Sequence, residues 1–183
     1  MNNFILVGFK GSGKSTLGKK LASQLKYAFI DIDCLISSNC HDFYKTYGEK
    51  AFREAEKKAI FSLKDVQKAV IATGGGALLD PENVCVLKKI GRLIYLKEDK
   101  QIIKKRLLTP PYPAFFAGKD LEREFEEMYA QRSALYEESA DDWADPNEDL
   151  WEVIHSEPCF RLQLGASRME KPSVLSSTDV RRD

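Results

Sequence analysis

The chain has 183 residues, enough for one domain with a full hydrophobic core. Apolar side chains make up 43% and charged ones 31%, which excludes a fibrous or largely disordered protein. Lys+Arg and Asp+Glu both number 28, so no net field draws the molecule to nucleic acid or an anionic membrane. In chain order, Asn3–Val7 is short and almost wholly apolar, the pattern of a parallel strand covered on both faces. Ser15–Lys26 predicts a helix, with Leu17, Leu21 and Leu25 four apart on one face. Tyr27–Ile30 reads as a second strand. Asp42–Tyr47 and Gly48–Lys64 read as helices, the latter with the stripe Phe52, Ala55, Ala59 and Leu63. Ala69–Thr73 is a third strand, running into Gly74-Gly75-Gly76. Pro81 opens a short helix, Arg92–Leu96 is a fourth strand, and Gln101–Leu108 is a helix stopped by Pro110, Pro111 and Pro113. Lys119–Ala140 predicts a long helix and Leu150–His155 a last strand. Strands alternating with helices at this pace predict a doubly wound α/β domain over residues 1–156 with a mainly parallel sheet. From Glu157 onward periodicity ends, so 157–183 is expected to be a poorly ordered tail.

Cys34, Cys40, Cys85 and Cys159, with His41 and His155, match neither a disulfide framework nor a zinc site, and the cysteines are expected to be reduced and mostly buried. Without a basic start or a long apolar run near Met1, the expected location is the cytosol. The charge is unevenly spread. Residues 1–118 hold 20 basic and 11 acidic side chains, whereas 119–155 hold 3 and 13. Two readings fit: solvated helix faces, or an N-terminal part that receives an anion.

The strongest motif is Gly8-Phe9-Lys10-Gly11-Ser12-Gly13-Lys14-Ser15, which satisfies the P-loop pattern and lies between a buried strand and an amphipathic helix. Its glycines let backbone N–H groups turn inward around a phosphate chain at a helix N-terminus. The expected ATP contacts are Gly11, Ser12, Gly13, Lys14, Ser15 and Thr16. Lys14 would reach the β- and γ-phosphates, and the Ser15 hydroxyl would ligate Mg²⁺. Asp31-Ile32-Asp33 follows the second strand, and period-two geometry would aim both carboxylates to one side. Such a pair can divide the work between Mg²⁺ and an acceptor hydroxyl; an ordinary helix N-cap is the other explanation. Gly74–Gly76 would bring backbone close to a ligand. All three motifs fall at C-terminal strand ends, the edge where open α/β sheets bind ligands. Arg53 lies beside an apolar stripe with Glu56 at i+3 to hold it. Arg132 continues the stripe of Leu121, Phe125, Met128 and Leu135, so its charge must snorkel or find an anion, such as a carboxylate gripped by two arginine forks.

Taken together over residues 3–142, these motifs resemble the shikimate kinases. The resemblance implies a nucleoside-monophosphate-kinase-like P-loop fold with a five-stranded parallel sheet and a mobile lid at about 109–119. It implies ATP-dependent phosphorylation of the 3-hydroxyl of shikimate on the route to chorismate and aromatic amino acids, with Mg²⁺ as cofactor and a monomeric enzyme. Asp31 is then the Mg²⁺ carboxylate and Asp33 the contact to substrate hydroxyls and candidate base. Phe52-Arg53-Glu54-Ala55-Glu56 matches the family's FRxxE segment, which puts Arg53 on the shikimate carboxylate. Gly75 lines the substrate, Arg132 is the arginine after the lid, and Arg106 the nucleotide-side arginine. One departure concerns the lid, where the family reads Arg-Pro-Leu-Leu and this chain reads Tyr112-Pro113-Ala114-Phe115. The lid cation is absent from its usual place, and two outcomes are open: Arg106, one residue nearer the lid, supplies it, or the enzyme transfers slowly. The rival readings are another small-molecule P-loop kinase and a weakly catalytic nucleotide- or shikimate-binding regulator.

Overall fold

The computed structural model describes residues 3–116 and 120–155. Strands β1 (Phe4–Val7), β2 (Ala28–Asp31), β3 (Ala69–Ala72), β4 (Arg92–Leu96) and β5 (Asp142–Ala144) form one parallel sheet in the order β2-β3-β1-β4-β5. Successive side chains of a strand point to opposite faces, and both faces are covered. Ile5, Val7, Ile71, Leu93 and Tyr95 enter one apolar cluster, while Leu6, Val70, Ile94 and Leu96 enter the other. Helices α3 (Cys40–Phe61), α4 (Pro81–Ile90), α5 (Lys100–Leu107) and α6 (Leu121–Ser139) supply the first cluster with Ile60, Leu87, Ile103 and Phe125. Helices α1 (Lys14–Leu25) and α7 (Leu150–His155) supply the second with Leu21, Ala22, Leu150 and Val153. Burying each large aliphatic side chain contributes about 1.5–3 kcal/mol, so the sheet edge carrying the motifs rests on a rigid base.

Buried Asn3 fixes the start of β1: its amide donates to the carbonyls of Val66 (2.7 Å) and Ile90 (2.9 Å), and its oxygen accepts from Ala69 N. The α3 helix is broken at Gly48, whose φ of 80° is open to glycine at little cost, so the two helices read from the sequence join end to end. Among the described residues no helix is long and apolar enough to cross a membrane.

Several expectations are corrected. Leu150–His155 is a helix, not a strand: Leu150, Val153 and Ile154 are buried, an i, i+3, i+4 spacing that a six-residue apolar run hides. The fifth strand is instead Asp142–Ala144, three residues long. Its register opposite Ile94–Leu96 is pinned by the Arg92–Asp142 ion pair and by Asp141, whose carboxylate accepts from Leu93 N at 2.8 Å. Asp31-Ile32-Asp33 does not run on as strand, because Ile32–Ile36 forms a short helix, α2. The stripe of α6 closes on buried Tyr136 rather than on Leu135. Cys34 and Cys85 are exposed and Cys40 half-buried, against the expectation of mostly buried thiols; all three are free. On α4 it is Asn83, Val86 and Leu87 that face inward, which turns Cys85 to solvent. The predicted tail at 157–183 and the end of the predicted lid at 117–119 lie outside the described residues.

Helix α1 crosses β1 and β2 so closely that Gly18 has no room for a side chain. A Cβ there would lie 2.6 Å from Phe29 Cε2 and 3.1 Å from Leu6 Cδ1. Gly18→Ala is expected to destabilise by about 1–3 kcal/mol through overpacking, lowering the denaturation midpoint without changing the slope of the transition. An unchanged midpoint would mean that α1 shifts freely on the sheet.

Candidate active site

The loop after β1 is shaped by glycines at positive φ: Gly8 (141°), Gly11 (83°) and Gly13 (90°), the last forming the N-cap of α1. Lys14 is turned back over this loop. Its ammonium donates to the carbonyls of Gly8 (2.9 Å) and Phe9 (2.6 Å), and it is only 7% exposed. Burial pushes its pKa down to about 8, against the opposing pull of Asp33 and Asp31. The Ser15 hydroxyl donates to Asp31 Oδ2 at 2.7 Å. Asp31 ends β2 and caps α2, its Oδ1 accepting from Asp33 N at 3.1 Å. The strand-to-helix switch, rather than period-two alternation, thus separates the two carboxylates. Asp31 faces Ser15, and Asp33 turns inward. Burial, with Asp31 adding to it, raises the Asp33 pKa, while Lys14, Lys10 and Arg53 counter the rise.

Two arginines approach from other elements. Arg53, on α3 beyond the Gly48 break, donates through Nη1 to Glu56 Oε2 at 2.6 Å. Glu56 is 1% exposed, and burial raises its pKa while Arg53 holds it down. Arg132, on α6, donates to the Gly75 carbonyl at 3.1 Å, and its guanidinium lies over the Phe115 ring with 5.5 Å to the centroid. The Tyr136 hydroxyl donates to the same Gly75 carbonyl. Burial lowers the Arg132 pKa, which means that its charge is poorly solvated.

The glycine triplet is where these groups meet. A Cβ on Gly74 would lie 2.6 Å from Glu56 Oε1 and 2.9 Å from Asp33 Oδ1. One on Gly75 would lie 3.1 Å from Lys10 N, and one on Gly76 would lie 2.6 Å from Arg53 Cζ. None of the three has a positive φ, so close approach rather than backbone conformation is what requires glycine here. The result is a cleft of about 480 Å³. Of the residues singled out in the sequence, Gly11, Gly13, Lys14, Ser15, Thr16, Asp31, Asp33, Arg53, Gly75 and Arg132 all line it. Ser12 is fully buried within the loop. Arg106 does not line the cleft; it donates to the Gly11 carbonyl and, at 2.7 Å, to Glu98. Tyr112 is 42% exposed and is likewise outside the lining, whereas Ala114 and Phe115 belong to it.

Four buried polar atoms around this cleft have no hydrogen-bond partner: Asp33 Oδ1, Glu56 Oε1, Arg53 Nε and Arg132 Nε. A buried polar group left unpaired costs about 1–3 kcal/mol, so the wall of the cleft carries a polar cluster that its own contacts do not fully satisfy. The sequence did not point to Lys10, Cys40, Tyr44, Phe115 or Tyr136 as part of the site. Tyr136 had a signal, being four residues after Arg132 on one helix face; Lys10 had none, because the P-loop pattern leaves its position open. The Cys40 thiol donates to the Asp33 carbonyl at 3.1 Å, and burial pushes its pKa up to about 11, which disqualifies it as a nucleophile.

Comparison with known proteins agrees with this geometry. The family model for shikimate kinase matches residues 10–157. The shikimate kinase of Clostridium botulinum is 41% identical over 144 residues, 76% of this chain and 85% of that one. That of Syntrophus aciditrophicus is 36% identical over 177 residues, 88% and 91% respectively. Among solved structures, the Acinetobacter baumannii shikimate kinase in complex with shikimate superposes with a TM-score of 0.74 at 27% identity, covering 93% of this chain and 96% of that one. The strand order, the phosphate loop and the cleft at the strand ends therefore accompany a family match over most of the sequence, and the chain belongs to the shikimate kinase family.

Proposed function

We propose that the chain transfers the γ-phosphoryl group of ATP to the 3-hydroxyl of shikimate, giving shikimate 3-phosphate and ADP. The observation that carries this reading is the convergence, in one cleft, of a P-loop lysine, two carboxylates of different environment and two arginines on separate helices. The P-loop amides and Lys14 hold the triphosphate, with Gly11, Ser12, Gly13 and Thr16 around it and Arg106 beside the loop on the nucleotide side. Ser15 and Asp31 present two hard oxygens 2.7 Å apart, which suits Mg²⁺, an ion commonly bound by one or two protein oxygens together with substrate phosphates. When bound, Mg²⁺ neutralises charge on the phosphate oxygens. Asp33 orients the acceptor hydroxyl and takes its proton, and its raised pKa favours that acceptance. Arg53 and Arg132 grip the carboxylate of the substrate, and Gly75 leaves room for the ring. Their contribution is orientation: they hold the acceptor oxygen in line with the phosphorus. Asp33, Arg53, Glu56 and Arg132 line the cleft beside the rings of Tyr44, Phe52 and Phe115, a mixture that suits a ring bearing a carboxylate and hydroxyls.

ADP release coupled to an indicator reaction tests the reading directly. Turnover is expected with shikimate and not with gluconate or nucleoside monophosphates. ADP release with gluconate at the shikimate rate would overturn it.

Arg53→Ala and Arg132→Ala each remove a charge-assisted contact of about 1.5–3 kcal/mol. Each is expected to raise KM for shikimate roughly tenfold or more while leaving KM for ATP nearly unchanged. Equal damage to both KM values would make the arginines structural.

Gly76→Ala places a methyl group where the Arg53 guanidinium now lies, so that guanidinium must leave its bond to buried Glu56. The melting temperature is expected to fall, because the displaced arginine leaves a buried carboxylate without its partner. KM for shikimate should rise as it does in Arg53→Ala, and combining the two substitutions should add little, since both remove the same contact.

A further inference from the structure

Among the described residues, four cations line the cleft: Lys10, Lys14, Arg53 and Arg132. Three are engaged with the protein. Lys14 donates to two loop carbonyls, Arg53 is paired with Glu56, and Arg132 is bonded to the Gly75 carbonyl and stacked on Phe115. Lys10 is different. It is exposed at the cleft, and among the described residues no carboxylate lies within ion-pair distance of it.

Its place in the loop is specific. Lys10 follows Gly8 by two residues and precedes Lys14 by four, and its backbone N is the atom that a Gly75 side chain would strike, at 3.1 Å. Lys10 therefore sits, through its backbone, at the seam between the phosphate loop and the glycine triplet. Its charge reaches Asp33, where it works to keep the carboxyl ionised. A phosphoryl group moving from the loop toward an acceptor held by Asp33 must cross this seam.

Phosphoryl transfer spreads negative charge over the three equatorial oxygens, and a cation placed there lowers the barrier. Among the described residues of the segment between α5 and α6, none brings a cation to the cleft. Ala114 and Phe115 line it without charge, and Tyr112 stands outside. Arg106 is tied to Gly11 and Glu98 and does not line it either.

We infer that Lys10 is a catalytic residue whose ammonium neutralises the equatorial oxygens of the γ-phosphoryl group in transit, supplying the lid's cation from the phosphate loop itself. The inference rests on the shikimate kinase reading above. In the step it serves, the acceptor oxygen forms a bond to the γ-phosphorus. The bond from that phosphorus to the β,γ-bridging oxygen breaks, and its electron pair leaves with ADP. The hydroxyl proton passes to Asp33, and Lys10 neither makes nor breaks a covalent bond.

Lys10→Met and Lys10→Arg test it, since an exposed loop side chain can be replaced without threatening the core. Lys10→Met is expected to lower kcat by roughly 10²-fold with both KM values little changed, the magnitude typical for loss of one transition-state donor. Lys10→Arg should retain most of the activity. In calorimetry, Lys10→Met should bind MgADP and shikimate singly as the parent does, but bind shikimate with MgADP and aluminium fluoride, a mimic of the phosphoryl group in flight, about as much more weakly as kcat has fallen. An active parent enzyme with an unimpaired Lys10→Met variant overturns this inference alone, as does a loss carried wholly by KM for ATP. A parent enzyme that releases no ADP with shikimate overturns the substrate reading and this inference together.

Discussion

The site depends on how closely side chains can approach the backbone at the exit of β3. Gly74, Gly75 and Gly76 each give up a Cβ to a different neighbour: Glu56 and Asp33 at the first, Lys10 and Arg132 at the second, Arg53 at the third. These neighbours come from the P-loop, the β2–α2 junction, α3 and α6, which no local sequence feature brings together. Any side chain at these positions would push at least one of them out of the cleft. The backbone there also accepts: the Gly75 carbonyl takes hydrogen bonds from both Arg132 and Tyr136, which anchors α6 to the sheet edge at the point where its arginine is needed.

Bringing so many charges together requires internal compensation. Glu56, almost fully buried, holds Arg53, and that arginine opposes the upward push of burial on its carboxyl. Replacing the pair by apolar residues would serve stability at least as well, because desolvating two charges offsets much of their attraction. The pair is better understood as a positioning device. It fixes one fork of Arg53 through Nη1, with Glu49 Oε1 3.9 Å from Nε, and Arg132 is likewise held through Nη1 on the Gly75 carbonyl. Each guanidinium is thus tied at one nitrogen, which restricts its plane before any substrate arrives.

What was legible in the sequence follows from how local each signal is. The P-loop is contained in eight consecutive residues, and the strand before it and helix after it are periodic, so Lys14, Ser15 and the loop glycines could be placed by reading alone. Four of the five strands were found for the same reason. Asp142–Ala144 was not, because a three-residue strand bearing an aspartate is stabilised by Arg92 on a neighbouring strand rather than by its own pattern. Helix α7 was misread because six apolar-rich residues fit either period. Glu56 was legible as the partner of Arg53 at i+3, yet its near-complete burial was not, since nothing in the sequence tells that the glycines ending the third strand will lie against it. Lys10 carried no signal because the loop pattern accepts any residue there, and its significance arises only from the proximity of Gly75.

The uneven distribution of charge resolves into both of the readings it allowed, in different places. Part of the acid-rich stretch after residue 119 is matched by basic side chains elsewhere: Glu126 meets Lys100 and Lys104, Glu137 meets Lys97, Asp142 meets Arg92, and Asp149 meets Lys20. The exposed pairs among these are solvated, so they orient α5 against α6 more than they stabilise the fold. Lys45, Lys88 and Lys89 on the N-terminal part have no ion pair among the described residues and face solvent, so much of that part's basic surplus is the solvated kind. The cleft is different: among the described residues Lys10, Lys14, Arg53 and Arg132 share it with Asp31, Asp33 and Glu56, four cations against three carboxylates. An anion entering it meets a small local excess of positive charge inside a partly enclosed wall, where salt screens less than it does between the exposed pairs on the helix faces.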